Sequence, residues 1–212
     1  MREAVYSLGR GASMKGERSA AADADGDLIA RFLAGDRSAF DALFIKYQDY
    51  VYNIVYGIVC QPDEARDISQ EVFVQVFRSL GSFRRGSRFA TWLYRIAVNR
   101  AVDGARSAKN RRWLPLMETL SATPDPADSP EKVLDRHTGQ DMVQKALQQV
   151  PIQHRDVLVL RYYQDLSVEE IAEVLGCSVT AAKVRLHRAR HHFKEMYLAT
   201  YGQETGAFEP LS

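Results

Sequence analysis

The sequence predicts an all-α protein of two small helical domains joined by a flexible Pro-rich linker, and three features carry that prediction. Apolar residues recur at spacings of three and four through most of the chain, and no stretch sustains the alternation of a strand. Ser121 to Pro130, SATPDPADSP, sets three prolines among small and acidic residues, a composition that excludes helix and favours an extended, solvated tether. Beyond it a capping box, a glycine and a basic helix follow in the order of a helix-turn-helix. The expected division is a flexible leader over 1–24, a first domain over 25–112, a linker over 113–131, a second domain over 132–200 and a tail over 201–212.

Met1 to Ala24 is rich in Gly, Ala, Ser and charge, has no sustained period, and buries too little apolar surface to offset the entropy of ordering. Met14 offers a second possible start within it. From Asp27 a helix begins with Leu28, Ile29, Phe32 and Leu33 on one face, and Gly35-Asp36 supplies its stop. A second helix follows from Ser38, with Phe40, Leu43, Phe44, Tyr47, Val51, Ile54, Val55 and Ile58 on its apolar side. That length implies a central scaffold helix.

Pro62-Asp63 restarts the chain, since proline is tolerated at a helix start and Asp63, Glu64 and Asp67 favour the positive end of the dipole. This third helix runs to about Leu80. Ala65, Ile68, Val72, Phe73, Val76, Phe77 and Leu80 form its apolar side, leaving Asp67, Gln70, Glu71 and Gln75 polar. A basic loop, Ser82 to Arg88, leads to a fourth helix near Phe89 or Ala90. After the tether, Val133 to Val150 reads as one helix, Pro151 punctuates, and Gln153 to Tyr163 reads as another.

Two constellations carry chemistry. In TWLYRIAVNR, Thr91 to Arg100, one helix holds Trp92, Tyr94, Arg95, Asn99 and Arg100. Flat aromatics, a planar amide and guanidinium groups suit a surface that stacks on unpaired bases, reads a base edge and holds phosphates. From Arg84 to Arg112 there are eight Arg and one Lys against Asp103 alone, about +8 in a chain of formal net charge +1. Such segregation points to a nucleic-acid surface, although the stretch taken alone fits an amphipathic core helix equally well.

The second constellation begins with Ser167-Val168-Glu169-Glu170, which matches a capping box; Ile171, Ala172 and Leu175 supply the buried side and Gly176 a left-handed stop. Ser178 caps the next helix, on which Ala182, Leu186, Ala189 and Phe193 form the buried stripe. Lys183, Val184, His187, Arg188 and His191 fall on the opposite arc and are the candidate groove-facing side chains. Arg185 and Arg190 sit nearer the buried stripe, suited to flanking phosphates or pairing with acids of the domain. Lys183 to Lys194 holds five Lys or Arg and no acid, whereas a solvated helix usually mixes the signs. His187, His191 and His192 are not read as metal ligands: there is no HExxH, no third ligand, and a field of nearby cations.

Cys60 and Cys177 lack CxxC or CxxH partners, so neither a disulfide framework nor a zinc site is indicated, and both fit buried thiols of a reducing cytoplasm. No run approaches the roughly 18 apolar residues of a membrane span and the N-terminus has no apolar signal core, so the expectation is a soluble, cytoplasmic chain without membrane insertion. No Gly-rich phosphate loop, HExxH or GxSxG is present to support an enzyme, and no cofactor is expected.

With both constellations in hand, the chain resembles the bacterial sigma-70 superfamily, and within it the extracytoplasmic-function (ECF) group. The likeness rests on LIARFLAGDRSAFDALFIKY at Leu28 to Tyr47, DEARDISQEVFVQVFRSL at Asp63 to Leu80, FRRGSRFATWLYRIAVNRAVD at Phe83 to Asp103, and LSVEEIAEVLGCSVTAAKVRLHRAR at Leu166 to Arg190. The resemblance implies a two-domain transcription initiation factor. Its first domain (sigma region 2) would grip the clamp of the largest subunit of core RNA polymerase and open the minus-10 promoter DNA; the last (sigma region 4) would read the minus-35 duplex beside the flap of the second-largest subunit. It further implies clamp binding by Asp67, Gln70 and Glu71, and minus-10 contacts by Arg88, Trp92, Tyr94, Arg95, Asn99 and Arg100, with Asn99 near the pocket for an extruded base. Minus-35 contacts fall to Ser178, Lys183, Val184, His187, Arg188 and His191, with His187 a departure from relatives. An anti-sigma factor is the expected inhibitor. The rival readings are a stand-alone regulator that uses only the helix-turn-helix, and a small helical enzyme.

Overall fold

The structure, a computed structural model, describes residues 17–83, 88–113 and 138–201. Residues 1–16 of the leader, 84–87 of the basic loop, the Ser121 to Pro130 tether and the tail from Gly202 lie outside the described residues. Within them are eight α-helices and no strand.

Helix α1, Glu17–Leu33, starts ten residues before the expected Asp27. Its extension runs through an Ala-rich stretch, and alanine has the highest helix propensity, so the helix propagates backwards without needing to bury a face. Asp25, which precedes the helix start expected at Asp27, is buried: Tyr47 donates its hydroxyl to Asp25 Oδ2 at 2.5 Å and Lys46 Nζ lies 2.5 Å from Oδ1. This charge-assisted pair fastens α1 to α2.

Helix α2, Ser38–Val59, is the scaffold the periodicity predicts, with Leu43, Tyr47, Val51, Ile54, Val55 and Ile58 buried. It packs against α1, α3 (Pro62–Ser79), α4 (Phe89–Trp113), α5 (Thr138–Gln149) and α6 (Ile152–Tyr162). Cys60 ends α2 in the left-handed region, φ 61°, its N–H donating to Tyr56 O. Pro62 opens α3, with Asp63 and Glu64 in its first turn, and a 3₁₀ turn at Leu80–Ser82 follows.

Three residues assigned to apolar faces emerge at the rim, among them Leu33 at the end of α1, which is 56% exposed. Phe44 and Phe77 are 39% and 43% exposed, and Ile68 is half-buried. Each phenylalanine covers one ring face only: Phe44 meets Phe73 edge-on at 4.7 Å, and Phe77 meets Phe40 at 5.0 Å and Phe32 at 5.2 Å.

Of the expected Val133 to Val150 helix, the start lies outside the described residues and α5 covers Thr138–Gln149. Helix α7, Val168–Leu175, and α8, Val179–Tyr201, complete the chain. Helix α8 packs against α5, α6 and α7. One buried cluster runs without a break from Ile29 to Phe193, so both helical units share a core. The join is at Gly57, where a Cβ would stand 2.5 Å from Val159 Cγ2 of α6; only glycine permits that approach. Of the two thiols expected in the interior, Cys60 is buried beside this join and Cys177 is half-buried.

Ile54 is fully buried at the middle of the scaffold helix. Ile54→Ala should therefore lower stability by about 2–5 kcal/mol, read from the midpoint of a urea unfolding curve.

Candidate nucleic-acid interface

The fourth helix opens with an aromatic cluster. Trp92, half-buried, has its ring 5.2 Å from Phe83 and 5.8 Å from Phe89, and Phe89 in turn meets Tyr47 of α2 at 5.4 Å. Leu93, Ala97 and Ala101 face the core completely. Residues two apart on a helix point roughly 200° away from each other, so Trp92 and Tyr94 cannot share a face. Tyr94 is the one turned inward, at 5% exposure, which removes its ring from any stacking surface in this arrangement.

Spacings of three and four instead align Arg88, Trp92, Arg95 and Asn99 in one stripe. Trp92 N–H donates to Arg88 O at 3.2 Å, so the stripe is continuous across the helix start. Asn99 is exposed, and its side chain has no hydrogen-bond partner among the described residues. Arg100 lies beside the stripe: its Nε donates to Gln75 Oε1 at 2.7 Å and a guanidinium nitrogen lies 3.7 Å from Glu71. Helix α4 is thereby tied to the acidic side of α3, where Asp67, Gln70 and Glu71 are all exposed.

An apolar strip next to that acidic face was not legible in sequence. Val74, 49% exposed, continues the row of Gln70 and Glu71, and Phe77, Phe44 and Leu33 are also exposed. Val74 broke the polar pattern of its face and was the available signal.

The arginines at positions 88 and 95 have partners in the second unit. Arg88 Nη1 pairs with Glu170 Oε1 at 3.1 Å. Arg95 Nε donates to Val174 O at 3.2 Å, and its Nη2 donates to Glu173 O. Both targets are carbonyls of the last turn of α7, where the helix dipole is negative.

The helix-turn-helix has the expected construction. Glu170 N–H donates to Ser167 Oγ at 3.2 Å and Ser167 N–H to Glu170 Oε2 at 2.9 Å, closing the capping box. Gly176 takes φ 65°, Cys177 N–H reaches Ala172 O at 3.0 Å, and Ser178 Oγ accepts from Ala181 N–H at 3.1 Å. Ala182, Leu186, Ala189 and Phe193 are buried; Ser178, Lys183, Val184, His187, Arg188 and His191 are exposed.

Arg185 turns inward, donating to Gln153 O at 2.8 Å and pairing with the buried Asp156 at 2.5 Å. Arg190 lies over the Tyr162 ring at 5.8 Å. Two residues of α6 that sequence reasoning passed over, Gln153 and His154, join Ser178, Val184 and Arg188 around an open groove of about 770 Å³. His154 stacks on His192 at 5.0 Å, and burial, with His192, Arg185 and Arg188 nearby, lowers its pKa below the usual histidine value. Nothing in the local pattern of α6 marks them, because α8 brings them into the groove.

The chain is similar to known proteins in sequence and in fold. Sequence models of sigma-70 region 2 and sigma-70 region 4 match residues 43–111 and 140–193. The RNA polymerase sigma-H factor of Pseudomonas aeruginosa is 37% identical over 177 residues, covering 78% of this chain and 90% of that protein. The ECF RNA polymerase sigma factor SigW of Bacillus subtilis is 31% identical over 174 residues, 79% and 93% of the two chains. CnrH, solved in complex with the cytosolic domain of CnrY, has a similar fold: TM-score 0.60 at 22% identity, over 86% of this chain and 99% of that one. The sigma factor RpoE of Bartonella quintana, solved with the anti-sigma factor NepR, gives 0.56 at 21%, over 74% and 95%.

Asp156, buried behind the Arg185 that lines the groove, carries a titration signature. Burial pushes its carboxyl up to about 6 despite Arg185, so the folded chain holds a proton that the unfolded chain, near 3.8, has released. Relative to Asp156→Asn, the wild-type chain should gain stability as pH falls from above 6 towards 4, by at most about 3 kcal/mol. Paired urea titrations at pH 7.5 and 4.5 would measure it; a constant difference between the two proteins would refute the assignment.

Proposed function

The chain belongs to the sigma-70 family, within its ECF group, and on that premise we propose how its surfaces divide the work of a promoter-directing factor. A sigma factor binds core RNA polymerase and directs initiation at promoters, acting as a transcription factor and not as an enzyme. It works in the cytoplasm, where the polymerase is.

The observation that carries the residue-level reading is the alignment of Trp92 and Asn99 about two turns apart on one helix face. A face of that length spans several nucleotides of an unwound strand. Trp92, backed by Phe83 and Phe89, supplies a rigid stacking platform, and Asn99 offers a donor and an acceptor to the pairing edge of an extruded base. Arg88, Arg95 and Arg100 hold the phosphates. Tyr94 acts from within the core, where it packs the helix that carries Trp92.

Stacking and base capture offset the few kcal/mol needed to unpair and unstack the minus-10 element, and the phosphate contacts add a salt-dependent part. Asp67, Gln70 and Glu71 bind the clamp helices of the largest polymerase subunit. The α8 helix enters the minus-35 major groove with Lys183, Val184, His187 and Arg188 towards base edges, while Ser178 and His191 flank the backbone. An anti-sigma factor holds the chain inactive, as the partner in the Bartonella quintana complex suggests.

Adding this chain to purified core polymerase should produce initiation at a defined start site, and Asn99→Ala should slow open-complex formation by about tenfold with core affinity unchanged. A stand-alone regulator would give no initiation under these conditions. Arg188→Ala should weaken minus-35 duplex binding by about tenfold in a gel-shift titration while core association persists; unchanged duplex affinity would remove Arg188 from the groove.

A further inference from the structure

The groove between the start of α6 and the first half of α8 is walled by cationic and hydrogen-bonding side chains, and no acid stands among the described residues that line it. Arg185 and Arg188 of α8 border it, Gln153 and His154 of α6 form the other side, and His192 stacks on His154 at 5.0 Å. The nearest acids are already committed. Asp156 Oδ2 pairs with Arg185 at 2.5 Å and Oδ1 accepts from Val157 N–H at 2.7 Å. Glu195 stands 3.4 Å from His191 Nδ1 and 3.7 Å from His192 Nδ1. A concavity of about 770 Å³ with such walls attracts an anion.

His154 is the residue of this wall that packing leaves unexplained. Its ring is half-buried and its Nδ1 is enclosed without a hydrogen-bond partner, so it meets a ligand only through Nε2. The charged groups that face it are His192, Arg185 and Arg188, all of α8. Its neighbours on α6 are turned elsewhere, Arg155 to Val150 O at 2.8 Å and Asp156 to Arg185, and Arg106 of α4 acts on Asp156. Burial and the surrounding cations keep the His154 pKa below the usual histidine value, so near neutral pH the ring carries no charge. An anion in the groove would offset that repulsion.

We propose that this groove seats a backbone phosphate of the duplex that α8 enters, held between Arg188 of α8 and the Gln153 and His154 side chains of α6. The inference rests on the reading of α8 as the minus-35 helix, and adds α6 to the DNA-contacting surface. Continuity favours the duplex as the source of the phosphate: Ser178, Val184 and Arg188 line the groove and also lie on the exposed arc of α8. A helix in a major groove is bordered by the backbones on either side, and the side of α8 that carries Arg185, Arg188 and His192 is the one turned to α6. Gln153 is held in position by its carbonyl, which accepts from Arg185 Nε at 2.8 Å, while its side chain is exposed.

Two consequences separate this seat from a packing role for His154. A phosphate beside Nε2 favours the imidazolium, so binding takes up a proton and affinity rises as pH falls towards the pKa of the free ring. A contact to phosphate also carries no base information, so its loss weakens all sequences alike and lowers the salt dependence of binding. A histidine that only packed α6 against α8 would change neither the salt dependence nor its variation with pH.

Binding of the full-length chain to a fluorescein-labelled, mixed-sequence duplex is measured by anisotropy over a salt series at pH 7.5 and 5.5. Asp156, His187, His191 and His192 are present in both wild type and His154→Gln, so a difference between these proteins belongs to position 154. His154→Gln should bind about twofold more weakly at pH 7.5 and about tenfold more weakly at pH 5.5, with a log-log salt slope shallower by about one at the lower pH. Gln153→Lys, at an exposed position that leaves folding intact, should bind about fivefold more tightly at both pH values. A wild-type to His154→Gln ratio that is the same at both pH values, or unchanged affinity of Gln153→Lys, overturns the phosphate seat. Arg188→Ala in the same assay separates the two levels. If it binds weakly while both α6 variants are silent, only the seat falls; if it binds as wild type does, the reading of α8 falls and the seat with it.

Discussion

The close approach of Gly57 to Val159 is the contact on which the arrangement of this molecule depends. Helix α2 would be a complete floor for the first bundle without it, since Leu43, Tyr47, Val51 and Ile54 already meet the helices around them. By carrying a glycine near its end, α2 accepts a second helix at backbone distance, and its terminal carbonyls at Ile58 and Cys60 find donors from Arg155 and Gln148. A buried helix end would otherwise leave those acceptors unsatisfied, at a cost of about 1–3 kcal/mol each. The second unit thus completes the first in a hydrogen-bonding sense as well as an apolar one.

Charge distribution follows from the same arrangement. A chain of formal net charge +1 carries exposed basic side chains along the stripe of α4 and on the outer arc of α8. The stripe of α4 is partly neutralised from within, because Glu170 serves two masters: it closes the capping box of α7 and pairs with Arg88. Arg185 shows the opposite device. Although it lies on α8, its guanidinium is turned to buried Asp156 and fixes α8 against α6, so the exposed Lys183, His187 and Arg188 project from a helix that is held in place.

The pattern of the sequence reveals helices and faces reliably where one helix buries one stripe. Ala182, Leu186, Ala189 and Phe193 are the plain instance, as are the capping box at Ser167 and the left-handed Gly176, because each is specified by residues within a few positions of one another. Phe44 and Phe77 were misplaced because a rim position covers only one face of a ring, and periodicity does not record how wide the neighbouring helix is. The length of α1 was missed for a different reason: alanines carry helix propensity without amphipathic signal. Tyr94, two residues from Trp92 on the same helix, was a distinction that helical geometry alone could have drawn.

By itself the sequence determined the helical class, the family, the clustering of aromatics with Asn99 and arginines, and the outward arc of the last helix. All of these depend on local spacing and on residue chemistry. Only the tertiary structure decided which aromatic faces outward, that Gln153 and His154 join the groove of α8, and that Arg88 and Arg95 are held by the end of α7. The arginine contacts span 82 and 79 positions, where backbone carbonyls and a single missing Cβ set the distance of approach, and neither leaves a mark in the periodicity of the chain.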